Sequence, residues 1–132
     1  MYSMYLLEYS YIPGLPCSPF LSTEHNKGNM PVTYTYTALV GEGHNILVDC
    51  GTDNSDPICK AFCDRDDVTG WQPPEAVLAK IGLTPEEIDT VIFTHAHYDH
   101  LDNLEAFPRA HYYIQSRELM GWLWAAGLDK RT

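Results

Sequence analysis

Thr90-Val91-Ile92-Phe93-Thr94-His95-Ala96-His97-Tyr98-Asp99-His100 is the stretch on which the reading of this chain turns. Its first four residues are β-branched or aromatic, the pattern of a short buried strand. The seven that follow hold three imidazoles and one carboxylate. If the backbone stays extended past Phe93, His95 and His97 project to the same side. If it then turns into a helix, Asp99 and His100 swing to a second position. One loop can thus offer two ligands to each of two adjacent cations, which stand about 3.5–4 Å apart in two-metal hydrolases. Imidazole suits zinc, iron, nickel and copper, and an added carboxylate is typical of hydrolytic zinc and mixed zinc–iron centres. A polar loop whose histidines only cap and hydrogen-bond is the plainer alternative. Four ligand-type residues crowded between His95 and His100 weigh against it.

Outward from this loop the chain alternates strands and helices. Val32 to Val40 places Val32, Tyr34, Tyr36, Ala38 and Val40 on one face and three threonines on the other. Glu42-Gly43 reads as a hairpin turn into a strand over Asn45 to Asp49. Met4 to Tyr9 reads as a first strand, and Ser10 to Met30 as an irregular segment punctuated by Pro13, Gly14, Pro16, Pro19 and Gly28. Pro73 to Ile81 predicts a short helix with Gly82 just past its end. Thr84-Pro85-Glu86-Glu87 predicts a second helix start. His111 to Gln115 is the next strand. Ser116 is expected to cap a last helix whose Leu119, Trp122, Leu123 and Ala126 form an apolar stripe. Trp122 is assigned to core packing, and Trp124 equally to core or to the cover of a cleft.

His95-x-His97-x-Asp99-His100 resembles the signature loop of the metallo-β-lactamase superfamily. Asn45-Ile46-Leu47-Val48-Asp49-Cys50-Gly51 is similar to the earlier strand of that family, which ends in Asp and Gly. Leu104 to Leu119 is similar to the strand and helix that follow in its N-acyl homoserine lactonase-like branch. The resemblance implies an α/β fold, the N-terminal half of an αββα sandwich, as a mixed β-sheet with helices on one face over residues 1–132. It implies two divalent transition metals, zinc first, with iron, manganese or cobalt as alternatives. His95 and His97 would hold the first metal, and Asp99 and His100 the second. Asp49 would orient a ligand histidine from behind, or would cap the Gly51 turn as strand-end carboxylates do. The implied reaction is attack of a metal-activated hydroxide on a lactone or related ester, with Asp99 also carrying the proton to the leaving group.

Two departures from the branch bear on the substrate. Leu101-Asp102-Asn103 stands where a small residue and a glycine pair are usual, with Asn103 expected to take the left-handed conformation. Cys50 stands in place of a Thr or Ser. A β-lactam, thioester or organophosphate substrate therefore stays open, as does a non-catalytic metal-binding or assembly module. Family members are about twice this length and bring a third histidine to each metal and a bridging Asp from their later half. After His100 this sequence offers only His111. The chain is accordingly read as an N-terminal half: a truncated product, a proteolytic fragment or one chain of a split protein. Alone it should be inactive, and it should need the C-terminal half as a separate chain or a homo-oligomer partner.

At 132 residues and 45% apolar content the chain can bury a core. A formal charge of −10 argues against nucleic acid or an anionic membrane as partner; the resemblance implies a small-molecule lactone or ester. No apolar run is long enough to span a bilayer. Met1 to Tyr5 lacks a basic region and a cleavage site, so a cytoplasmic setting is expected. Cys17, Cys50, Cys59 and Cys63 are read as reduced thiols, with a structural zinc on the helix-spaced pair Cys59 and Cys63 as the alternative. In the Ser10–Met30 segment, Tyr11, Phe20 and Met30 are candidate substrate contacts. The alternative is a satellite apolar cluster beneath a long loop. His25 and His44 are read as solvated.

Overall fold

The computed structural model describes residues 1–18 and 28–129. Five strands form one mixed sheet in the order of the sequence: β1 (Tyr2–Pro16), β2 (Asn29–Gly41), β3 (His44–Val48), β4 (Thr90–Phe93) and β5 (His111–Ile114). β1, β2 and β3 run antiparallel, and β3, β4 and β5 run parallel. The parallel pairs require crossovers. α1 (Pro57–Arg65) and α2 (Pro74–Ala79) fill the first, and α3 (Tyr98–Leu101) opens the second. α4 (Ser116–Asp129) follows β5.

The hairpin between β2 and β3 forms at the expected place. Glu42 and Gly43 both have positive φ, 51° and 79°, as a two-residue turn of the favoured hand demands. The alternation along β2 also holds: Tyr36 and Ala38 are buried, and Tyr34 and Val40 pack beside them. These residues join Leu7 and Tyr9 of β1, Leu47 of β3, and Val91 and Phe93 of β4 on one face of the sheet. Val77 and Leu78 of α2 cover that face together with Ile88 and Phe107. On the opposite face Met4, Leu6, Ile92 and Tyr113 are exposed. The parallel register aligns Val48, Ile92 and Tyr113 in one row across that bare side.

Several expectations are corrected. The segment from Ser10 to Met30 is not one irregular loop. β1 continues to Pro16 and β2 begins at Asn29, with irregularities in register between Glu8 and Ser10 and between Ile12 and Leu15. Those breaks absorb the prolines and the glycine that looked like loop punctuation. Tyr11 and Met30 are therefore strand residues, while Phe20 and His25 lie outside the described residues. The predicted helix at Thr84 is a single 3-10 turn over Pro85–Glu87. Its cap forms, with the Thr84 N–H donating to Glu87 Oε2 at 2.8 Å. The chain then leaves helical geometry because Ile88 enters the core and Asp89 ties to Asn45 ahead of β4. Ser116 does not cap α4. The Gln115 side chain accepts from the Arg117 N–H instead. The stripe of α4 is uncovered, so Trp122 is not a core residue: it is 46% exposed, and Trp124 69%.

The four-residue spacing of Cys59 and Cys63 is that of α1, whose Asp56 cap accepts from the N–H groups of Ile58 and Cys59. All four cysteines are free and buried. No helix among the described residues is long and apolar enough to cross a membrane.

Candidate metal centre

β3 and β4 end side by side, and their ends build the site. The Asp49 N–H donates to Ile92 O at 2.9 Å and continues the parallel ladder for one more step. Asp49 itself has φ of 63°, which turns the chain and aims its carboxylate at the loop after β4. Gly51 follows with φ of 79°, and a Cβ there would stand 3.0 Å from the Tyr9 ring. Only glycine allows Tyr9 to lie so close to this turn.

The Asp49 carboxylate accepts three groups. Thr94 N–H donates to Oδ1 at 2.8 Å, Thr94 Oγ1 to Oδ2 at 2.8 Å, and His100 Nδ1 to Oδ2 at 2.8 Å. The single proton of the Thr94 hydroxyl is thereby committed. Its oxygen must then accept from His95 Nδ1, 3.0 Å away. Asp49 thus fixes the tautomer of His100 directly and of His95 through Thr94. In both rings Nε2 is the nitrogen left to bind. Burial raises the Asp49 carboxyl, but the hydrogen bonds from His100 and Thr94 outweigh it and hold it below its usual value. Hydrogen bonds to Asp49 and Asp99 push the His100 imidazole up to about 9.

The three signature histidines come together. Ring centroids of His95 and His97 are 4.5 Å apart, and those of His95 and His100 are 4.0 Å apart. Asp99 Oδ2 lies 3.4 Å from His100 Nε2. Burial raises the Asp99 carboxyl, and its contacts with His100 bring it below the usual range. His97 starts α3, its carbonyl accepting from the N–H groups of His100 and Leu101.

The donor set suits a divalent transition metal by its chemistry: three clustered imidazoles with a carboxylate beside them. Its number is partial. Among the described residues no group of three His, Cys, Asp or Glu side chains is placed to hold one ion.

Tyr9 and Glu118 also reach this site and were not singled out from the sequence. The Tyr9 hydroxyl donates to the Asp99 carbonyl at 2.7 Å, and burial keeps that hydroxyl protonated. Glu118 Oε1 accepts from the Ala96 N–H at 2.9 Å and from Trp122 Nε1 at 2.8 Å. Asn103 has φ of −79°, not the left-handed conformation expected of it. Its buried amide donates to the carbonyls of Cys50 and Thr52 at 3.1 and 2.7 Å and ties the two halves of the site together. His44 sits 3.4 Å from Asp89 in an ion-pair geometry. Apart from Glu118 and Trp122, which share the i,i+4 spacing of α4, these contacts have no local pattern, because the partners are distant in sequence.

A cavity of about 430 Å³ opens beside the imidazoles, lined by Phe62, His97, Tyr98, Leu101 and Trp122 among others. Trp122 meets His97 edge-on at 5.7 Å, and Phe62 stacks on Tyr98 at 5.2 Å. A second cavity of about 570 Å³ is acidic, with Asp53, Asp56, Glu75, Asp102 and Glu105 in its walls and no histidine. Tyr11 and Met30 line neither cavity. Tyr11 lies instead against Gly70, where an added Cβ would stand 3.0 Å from its ring.

The sequence profile of the Metallo-beta-lactamase superfamily matches residues 30–127, a span that includes the whole loop from Thr94 to His100. The chain belongs to the metallo-β-lactamase superfamily. Its five-stranded sheet with helices matches the N-terminal part of that family's sandwich. A probable metallo-hydrolase of Methanocaldococcus jannaschii is 44% identical over 41 residues, 31% of this chain and 20% of the relative. A probable metal-dependent hydrolase from Staphylococcus aureus superposes with a TM-score of 0.71 at 20% identity, over 92% of this chain and 50% of that one. AidC, a dizinc quorum-quenching lactonase in complex with a product, superposes with a TM-score of 0.65 at 20% identity, over 92% of this chain and 44% of AidC. At such identity the likeness shows the fold. The chain spans about half the length of these solved structures.

Proposed function

We propose that this chain forms part of a metal-dependent hydrolase that opens a lactone or a related ester. The observation that carries the reading is the gathering of His95, His97, Asp99 and His100 on one loop, with Asp49 fixing the ligating nitrogens of His95 and His100. His95 and His97 would hold one cation, and Asp99 and His100 a second. Zinc is the first choice, with iron, manganese or cobalt as alternatives. Bound cations would supply Lewis acidity and a water acidic enough to ionise near neutral pH. Within the chain, Asp49 holds the proton at Nδ1 of His100, and Thr94 Oγ1 holds the one at Nδ1 of His95. In this reading Asp99 would take up the proton released by the attacking water and pass it to the leaving alkoxide. The walls of Phe62, Tyr98 and Trp122 suit an apolar acyl group. The lactonase among its structural neighbours supports the ester class.

The remaining ligands would come from a second polypeptide carrying the rest of the fold, or from a second copy. The bare sheet face with Met4, Leu6, Ile92 and Tyr113 is where such a partner would pack. The four free thiols fit a cytoplasmic setting. A second reading, a non-catalytic metal-binding or assembly module, is favoured by the incomplete ligand set. Elemental analysis after zinc loading, followed by a lactone ring-opening assay with and without a second polypeptide carrying the other half of the fold, separates the readings. Metal uptake with ring opening only in the pair supports the hydrolase. Metal uptake with no hydrolysis in either case supports the module. No metal uptake in either case refutes both.

A further inference from the structure

Thr94 and Ala96 are alternate residues of the metal loop, and each has its N–H held by a carboxylate. The Thr94 N–H donates to Asp49 at the end of β3, and the Ala96 N–H to Glu118 on α4, at 2.8 and 2.9 Å. His95 lies between the two anchors, and His97 directly follows the second. Among the described residues, Glu118 is the α4 side chain that reaches this loop by a hydrogen bond. The same Oε1 also receives Trp122 Nε1 at 2.8 Å, which sets the Trp122 ring edge-on to His97. One carboxylate oxygen therefore fixes both the peptide between two ligand-type histidines and the aromatic wall against the second of them.

We propose that Glu118 is a positioning residue for the metal loop: it clamps the Ala96 amide and the Trp122 ring so that the His95 and His97 imidazoles hold the mutual geometry needed to grip a cation. This rests on the metal-site reading above. The competing account is that Glu118 only favours the start of α4, where an acidic residue in the first turn complements the helix dipole. The two accounts part at glutamine, which keeps the acceptor oxygen but loses the charge.

The test uses the full 132-residue chain with Co2+ as the probe, comparing wild type, Glu118→Ala and Glu118→Gln. The readings are Co2+ affinity by chelator competition, the d–d absorption band, and exchange of the Ala96 amide by NMR. Glu118→Ala should weaken Co2+ binding by about 10–100-fold, the range for groups that orient metal ligands. It should also shift the band and speed Ala96 exchange. Glu118→Gln should restore all three. Trp122→Phe, which keeps an aromatic ring but removes one donor, should shift the band while leaving Ala96 protected. Its behaviour serves as the guide should the alanine variant fail to fold. Wild-type affinity and band in Glu118→Ala overturn the proposal, and so does a glutamine variant as impaired as the alanine one. If the wild type takes up no Co2+, the metal reading fails while the clamp is still judged: equal Ala96 exchange in wild type and Glu118→Ala overturns it.

Discussion

Replacing Asp49 by Asn keeps the shape of the side chain and removes one acceptor and the charge. Asp49 receives the Thr94 N–H, the Thr94 hydroxyl and His100 Nδ1 within 2.8 Å each. The amide can satisfy them in two ways. With its oxygen toward Thr94, its NH2 meets His100, and two donors face each other unless Nδ1 becomes an acceptor. With its oxygen toward His100, its NH2 meets the Thr94 N–H, a backbone donor that cannot change role. The first arrangement wins and drives the His100 proton onto Nε2, the nitrogen proposed to bind the metal. Two charge-assisted bonds are weakened or lost, which should destabilise the fold by about 2–4 kcal/mol. Metal affinity should fall about 10–100-fold, as for other groups that orient ligands, or about 1.4–2.7 kcal/mol. Urea denaturation reads the first effect and chelator competition the second, while 15N-detected NMR reads the tautomer of His100. Unchanged metal affinity with the His100 proton still on Nδ1 would refute the reasoning.

Three further outcomes are expected. Tyr9→Phe removes the hydroxyl that donates to the Asp99 carbonyl; the loss should be about 1 kcal/mol by urea denaturation, with a local change in Asp99 and His100 amide shifts. Leu78→Ala, at a fully buried α2 position facing the sheet, should cost about 2–5 kcal/mol in thermal or urea unfolding, and a loss below 1 kcal/mol would contradict the one-sided core. At Asp89 burial raises the carboxyl, but donors from Thr90, Asn45 and His44 bring it below its usual value. Its stabilising contribution is present above the unfolded value of about 3.9 and disappears as pH falls toward the native one. Asp89→Asn should therefore flatten the acid limb of a stability profile below about pH 4 and leave its slope at pH 6–8 unchanged.

The signals that were legible in the sequence are local ones. Glu42-Gly43 requires two positive φ values, and a pair of residues can state that. The alternation of Tyr36 and Ala38, the apolar run of β4 and the spacing of the histidines are likewise readable within a few residues. The errors arise where tertiary demands override local ones. The prolines and glycine between Ser10 and Pro16 look like a loop, yet a long antiparallel partner holds them in β1 through shifts of register. Thr84 has the cap of a helix, yet Ile88 is pulled into the core after one turn. Trp122 follows an apolar stripe that predicts burial, but no described element covers it. In the site, the ligand-type residues sit on one short motif and could be named. Tyr9 and Glu118 reach the same loop from 90 and 22 residues away, and no pattern in one sequence encodes that distance.

The φ of 63° at Asp49 narrows what evolution can place there. A backbone in that region disfavours most side chains by about 1–2 kcal/mol and tolerates Gly, Asn and Asp. Glycine has no side chain with which to hold Thr94 and His100, and asparagine has too few acceptors. The backbone filter and the hydrogen-bond filter therefore intersect in a single amino acid. Drift at this position should be nearly frozen even though the residue need touch neither metal nor substrate. An alanine scan would misjudge it as well, because Asp49→Ala adds backbone strain to the lost carboxylate and cannot separate the two.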